Sequence, residues 1–221
     1  MRKLLIVVPL LIGVLIGIDR AAVWVAEREI GTRVQSAYGL SARPGVSVHG
    51  FPFLTQVASG NYQEIDVSVK AADAHGVRVR DIRARFTGVH APLSLLFGQN
   101  PGTATASRAA GTALIPYGQI ERRLPDGIRL TAEGGRLHVT GRTGYGAVAG
   151  TARLAVTRSG ISVSPAHLTV GGASAGALAG RFTFVIPVGA LPLHLSVTGV
   201  RAADDGLVVA AAAHDVAFAR G

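Results

Sequence analysis

The arrangement nearest to a catalytic one is Gly172-Ala173-Ser174-Ala175-Gly176, followed along the chain by Asp204 and His214. A G-x-S-x-G elbow with an acid and then a histidine downstream is the order used by α/β hydrolases. In that chemistry a base takes the serine proton and the acid orients the base. The elbow works only where a parallel strand runs into a helix, and the residues around Ser174 alternate as antiparallel strands do. The chain is therefore not expected to be an enzyme, and a serine hydrolase using Ser174 is kept as a remote alternative.

Other chemical patterns weaken in the same way. Gly144-Tyr145-Gly146-Ala147-Val148-Ala149 matches the degenerate glycine pattern of dinucleotide folds. The next residues, Gly150 to Val156, read as a strand and not as the helix whose N-terminus would hold a pyrophosphate, so a hairpin turn is expected. The seven histidines have no partner two to four residues away and no acidic cluster beside them, so no metal or other cofactor is expected. Glu64 and Asp66 fall on the wet face of a strand, and Asp204-Asp205 precede a turn glycine. With no cysteine there is no disulfide framework, no thiolate nucleophile and no site for N-terminal acylation.

Arginine and apolar surface remain. The net charge of +9 comes from 20 arginines and 2 lysines against 13 acids, and it is unevenly placed. Residues 77–158 hold 12 basic and 4 acidic groups, an excess of +8. Arg78, Arg80, Arg83 and Arg85 line the polar side of one strand, and Arg122 and Arg123 come later in a short helix. A guanidinium presents a planar fork suited to phosphate oxygens, so these six are candidate contacts to an anionic phosphate. A basic excess also suits nucleic acid. Aromatic residues make up only 5% of the chain and no nucleic-acid motif is present, so nucleic acid is excluded. Phe51, Phe53, Leu54, Leu96, Phe97, Phe182 and Phe184 are candidates to line an apolar groove, with burial in the core as the alternative.

These residues must be held by elements that the pattern outlines. Met1-Arg2-Lys3 precedes fifteen uncharged residues, Leu4–Ile18, a charged start and apolar run of secretory length. No small-x-small cleavage site comes after it, so residues 1–18 are expected to be an uncleaved signal anchor, with a cleaved signal peptide as the alternative. From Asp19 to Tyr38 the residues Val23, Ala26, Ile30, Val34 and Ala37 share a helical face, with Gly39 where a C-terminal cap would stand. Gly50-Phe51-Pro52-Phe53-Leu54 reads as a rigid apolar turn or strand start and not as a helix, because the proline fixes φ and pushes its neighbour toward extended geometry. Beyond it, nearly everything alternates as strands with glycine-containing turns. Tyr117–Leu124 is expected as a short helix after Pro116. A shift of apolar positions from Val77 and Val79 to Ile82, Ala84 and Phe86 implies a bulge near Arg80-Asp81. Connections too short for crossover helices require antiparallel pairing. The 29 glycines suggest curvature. The expected fold is mainly β (α+β): a single curved antiparallel sheet wrapped partway around the N-terminal amphipathic helix. An apolar groove would occupy its concave face, with residues 19–221 as one domain.

The string GFPFLTQVASGNYQEIDVSV, from Gly50 to Val69, resembles the signature of the LmeA-like phospholipid-binding family, envelope proteins of actinobacteria. Ile115-Pro116-Tyr117 and the stretch from Phe184 to Val209 come in the order of that family. The resemblance implies an extracytoplasmic, β-rich domain that holds phospholipid, which would make the six arginines lipid-headgroup contacts, the seven apolar residues acyl-chain contacts and the groove a lipid-binding one. Together with the basic middle it leads to the expectation of non-enzymatic phospholipid binding, the lipid being anionic, at the outer face of the cytoplasmic membrane. A role in envelope lipid or glycolipid maintenance would result. An envelope scaffold that binds another protein through its strand edges is the alternative.

Overall fold

A computed structural model describes residues 2–74, 76–92, 103–144, 146–157, 160–174, 183–187 and 191–218. The chain opens with α1 (Arg2–Ala37), one uninterrupted helix through both the apolar run and the amphipathic stretch. Nothing at Asp19-Arg20 breaks a helix, so the change in hydrophobic period is a change of surroundings and not of backbone. Then come β1 (Gly45–His49), α2 (Phe53–Ser59), β2 (Asn61–Ala74), β3 (Val77–His90), β4 (Thr105–Pro116) and α3 (Tyr117–Glu121). β5 (Ile128–Glu133), β6 (Arg136–Thr143), β7 (Gly146–Thr157), β8 (Gly160–Val170), β9 (Ala173–Ser174) and β10 (Phe184–Pro187) are next. A 3-10 turn at Pro192–His194 leads to the last hairpin, β11 (Ser196–Ala203) and β12 (Gly206–Ala217).

The strands form two antiparallel six-stranded sheets and not the single expected one. The first has the order β1-β2-β3-β4-β12-β11; the second is β10-β8-β7-β6-β5, with β9 also paired to β8. The division has a local cause. After β4 the chain turns away through α3, whose Tyr117 is buried and donates its hydroxyl to the Ala203 carbonyl at 2.8 Å. From there tight turns let each strand pair with the next, as at Gly134-Gly135, both with positive φ. Alternation and short turns look the same whether or not the ladder is broken at such a corner. Among the described residues there is neither a sheet curled around the helix nor an acyl-chain groove on a concave face.

By its contacts the chain divides into two compact units. The first comprises Met1–Val69, Ala84–Ala109 and His214–Gly221, the second Lys70–Arg83 and Ala110–Ala213. In the first unit, the expected stripe of α1 packs from Val23 to Ile30, while Ala37 at its far end is exposed. Val23, with Ala22, Ala26 and Ile30 beside it, meets Val48 of β1 and Phe53 of α2. Glu27 accepts a hydrogen bond from the Val48 backbone N–H at 2.8 Å, tying helix to strand. In the second unit, the two sheets meet through one core: Ile115, Ala202, Leu207 and Val209 from the first, and Leu130, Leu137, Ile161, Val163 and Ile186 from the second. The expected bulge lies where the apolar shift put it. Asp81 takes φ 49°, and half-burial passes from Val77 and Val79 to Ile82 and Ala84.

Two local readings are corrected. α2 begins directly after Pro52, so the GFPFL piece is a turn with a cis Phe51-Pro52 bond leading into a helix. The helix is stabilised from outside its own sequence: Leu54 N–H donates to Asp19 Oδ1 of α1 at 2.9 Å. β8 runs unbroken from Gly160 to Val170, where the sequence pattern reads as two strands, Ile161–Ser164 and Leu168–Val170, because a register shift between Thr151 and Ala152 absorbs Ala166 as an extra residue.

Candidate functional site

The apolar candidates separate by position. Phe53 is buried beside Tyr62, ring centroids 6.2 Å apart, and takes the core alternative. Phe51 and Leu54 flank it on the outside, 60% and 41% exposed. The Arg20 guanidinium lies over the Phe51 ring, 5.4 Å from its centroid. Phe184 is half-buried against the core of the second unit. Leu96, Phe97 and Phe182 lie outside the described residues.

The motif around these aromatics is a structural joint. Gly50 has φ 107°, and Gly60 caps α2 in the left-handed region at φ 69°, its N–H returning to the carbonyls of Gln56 and Val57. Gln56 is buried and accepts from the Gln63 N–H of β2 at 2.9 Å. The string therefore encodes the connection of α1, β1 and β2. Sequence reading missed the part played by Gln56, since a glutamine in a short apolar stretch carries no signal of its partner.

The arginines also separate. All of Arg78, Arg80, Arg83, Arg85, Arg122 and Arg123 are exposed. Arg85 is engaged: its Nε and a terminal nitrogen donate to the two Asp66 oxygens at 2.9 and 3.0 Å, with Glu64 3.5 Å away. That fork holds the Asp66 carboxyl below its ordinary pKa and raises that of Arg85. Arg78, Arg80 and Arg83 belong to the second unit and have no ion pair among the described residues. The Arg78 backbone N–H is 3.5 Å from Gln119 Oε1, which places the start of β3 beside α3, the helix directly before Arg122 and Arg123.

Two further groupings could invite chemistry. His49, Glu64 and Asp66 meet across β1 and β2 with ligand atoms within 4.8 Å of one another, a cross-strand cluster that no sequence spacing shows. Arg85 already supplies the positive charge there. In the second unit a concavity of about 800 Å³ is lined by Arg83, Arg201, Asp81, Asp204 and Asp205 among small side chains such as Thr112 and Ala210. Three carboxylates to two guanidiniums leave its lining without a positive excess, and none of the expected acyl-chain residues lines it. Ser174 sits on a two-residue strand paired antiparallel with β8, and the residues directly after it lie outside the described ones. The glycine pattern at Gly144 is the turn between β6 and β7, with a strand after it.

With this geometry in place, comparison with family profiles matches residues 17–212 to LmeA-like phospholipid-binding proteins. The chain belongs to the LmeA-like phospholipid-binding family. The match starts near the point where α1 begins to pack on β1 and α2, and includes the joint, both sheets and the exposed arginines from Arg78 to Arg123. Family membership implies phospholipid binding. Comparison with curated proteins and with solved structures returns no significant match. The apolar run up to Ile18 lies in a helix long and apolar enough to cross a membrane, consistent with a signal anchor or a signal sequence.

Proposed function

We propose that the protein is a non-enzymatic binder of anionic phospholipid. It is held at the outer face of the cytoplasmic membrane by the first half of α1 and serves envelope lipid maintenance there. Family membership carries the ligand class. The orientation is argued from Arg2 and Lys3 at the start of the apolar run, since basic flanks stay on the cytoplasmic side. The headgroup preference is argued from Arg78, Arg80 and Arg83 on one exposed face of β3, with Arg122 and Arg123 after α3. Arg85 is left out because Asp66 engages it. Among the described residues, Phe51 and Leu54 are the apolar candidates that remain free to meet lipid.

Magnitudes divide the work. A buried methylene is worth about 0.8 kcal/mol against water, but a lipid moving from a bilayer exchanges one apolar place for another and most of that term cancels. Each arginine near an anionic surface adds about 1 kcal/mol, weakened by salt. Headgroup contacts therefore choose among bilayer lipids. The test is to purify the full chain in detergent, wash it extensively, extract with organic solvent and quantify phospholipid by mass spectrometry. A stoichiometric phospholipid enriched in anionic headgroups is the expected result. A chain that retains none, or retains lipids in the proportions of the source membrane, would overturn the reading.

A further inference from the structure

The first unit poses a problem of depth along α1. The uncharged run Leu4–Ile18 is 15 residues, about 22 Å at 1.5 Å per residue, whereas a bilayer's hydrocarbon core is about 30 Å thick. The shortfall of about 8 Å corresponds to roughly five more residues, which carries the apolar zone to Val23 and Trp24. Residue composition alone forbids this, because Asp19 lies in between.

The structure removes the objection. Asp19 is 3% exposed, with one carboxylate oxygen accepting from the Leu54 backbone N–H at 2.9 Å and the other from Arg20 at 2.6 Å. Outside this covered carboxylate stand Phe51 and Leu54, with the Arg20 guanidinium over the Phe51 ring. On α1 itself, Trp24 and Val25 remain 61% and 59% exposed, and Arg28 lies over the indole. Aromatic rings with arginines reaching past them are the composition of a membrane–water boundary.

The geometry points to an interfacial collar: Phe51 and Leu54, at the turn into α2, enter the lipid boundary beside α1 and shield Asp19 from it. The occupant of this exposed apolar surface is the outer leaflet of the bilayer that holds the anchor, because the surface continues the apolar run of α1. The inference rests on the anchor reading of α1 and is independent of whether phospholipid is also a bound ligand.

The chain has a single tryptophan, which makes a direct test possible. Full-length Trp24→Phe/Phe51→Trp and Trp24→Phe/Leu54→Trp are reconstituted in phosphatidylglycerol/phosphatidylethanolamine vesicles, some carrying lipid brominated close to the glycerol. Trp24→Phe/Ser36→Trp is the control. Ser36 is exposed on α1, twelve residues beyond Trp24 and about 18 Å farther along the helix. The Phe51→Trp and Leu54→Trp reporters should emit to the blue of the control and be quenched several-fold more strongly. Emission and quenching equal to the control, in chains that float with the vesicles, would overturn the collar while leaving the anchor intact. Chains that fail to float would remove the anchor reading and the collar together.

Discussion

Asp66 receives two hydrogen bonds from Arg85, and His49 Nε2 lies 3.2 Å from its other side, so its charged form is favoured by several partners at once. A carboxyl whose pKa is lowered on folding stabilises the fold above its unfolded value, about 3.9, and loses that contribution as pH falls through the folded value. Asp66→Asn should therefore lower the melting temperature slightly at pH 7, and the difference should shrink as the pH falls below about 3.9 and through the lower folded value. Melting curves across that range check it; a difference that persists at the acid end would assign the effect to something other than charge. The effect stays small because the groups are exposed and screened. A second contrast separates neighbours in one motif. Phe53→Ala should cost about 3–5 kcal/mol of stability by denaturant unfolding, as for other buried phenylalanines, while Phe51→Ala should stay within about 0.5 kcal/mol. In the sequence these two residues look alike, and both stand open as core or lipid contact. Only the path of the turn at Pro52 decides which ring points inward. Arg85 was equally illegible, because its partner lies on the adjacent strand and belongs to a different run of sequence.

Among the elements, those defined by a long period were legible and those defined by a neighbour were not. The apolar face of α1 from Val23 to Ile30 and the bulge at Asp81 arise from alternation that can be counted along the chain. α2 does not, since seven residues after a proline cannot show a helical period, and its first turn is stabilised by Asp19, more than thirty residues away. β8 reads as two strands because Pro165 cannot donate to a ladder, yet the shift against β7 lets the pairing resume at His167. Beside that shift, where Gly150 pairs with Leu168, β7 needs a residue without a side chain. A Cβ at Gly150 would collide with the His167 carbonyl oxygen, which is backbone and cannot swing aside. Gly150→Ala should consequently open the β7–β8 ladder and lower the melting temperature far more than Gly134→Ala. Gly134 has φ 58° but open space around it, so only its backbone conformation is penalised. Thermal unfolding of the two variants side by side gives the comparison, and equal losses would contradict the close approach.

For the whole molecule, alternation and turn spacing disclosed that the chain is mainly β and antiparallel, while the count of sheets escaped them. A hairpin meander carries the same local signals whether it extends one ladder or starts another, and the corner at α3 is marked by a single Pro-Tyr step. Charge was more informative than topology, because its uneven placement survives folding: the excess at 77–158 remains exposed at Arg78, Arg80, Arg83, Arg122 and Arg123. If those groups choose the headgroup, replacing Arg78, Arg80 and Arg83 by glutamine removes three contributions of about 1 kcal/mol each, or roughly a hundredfold in preference for anionic over zwitterionic lipid. The tail contribution is common to both lipid classes and should not change. Total phospholipid retained by the detergent-purified variant should therefore stay near the parent level while its anionic share collapses. Raising the salt during washing should move the parent in the same direction, since screening acts on the headgroup part alone. A variant that loses all lipid would mean that the arginines hold the site together rather than select its ligand. One that keeps the parent's anionic share would place headgroup selection on other residues.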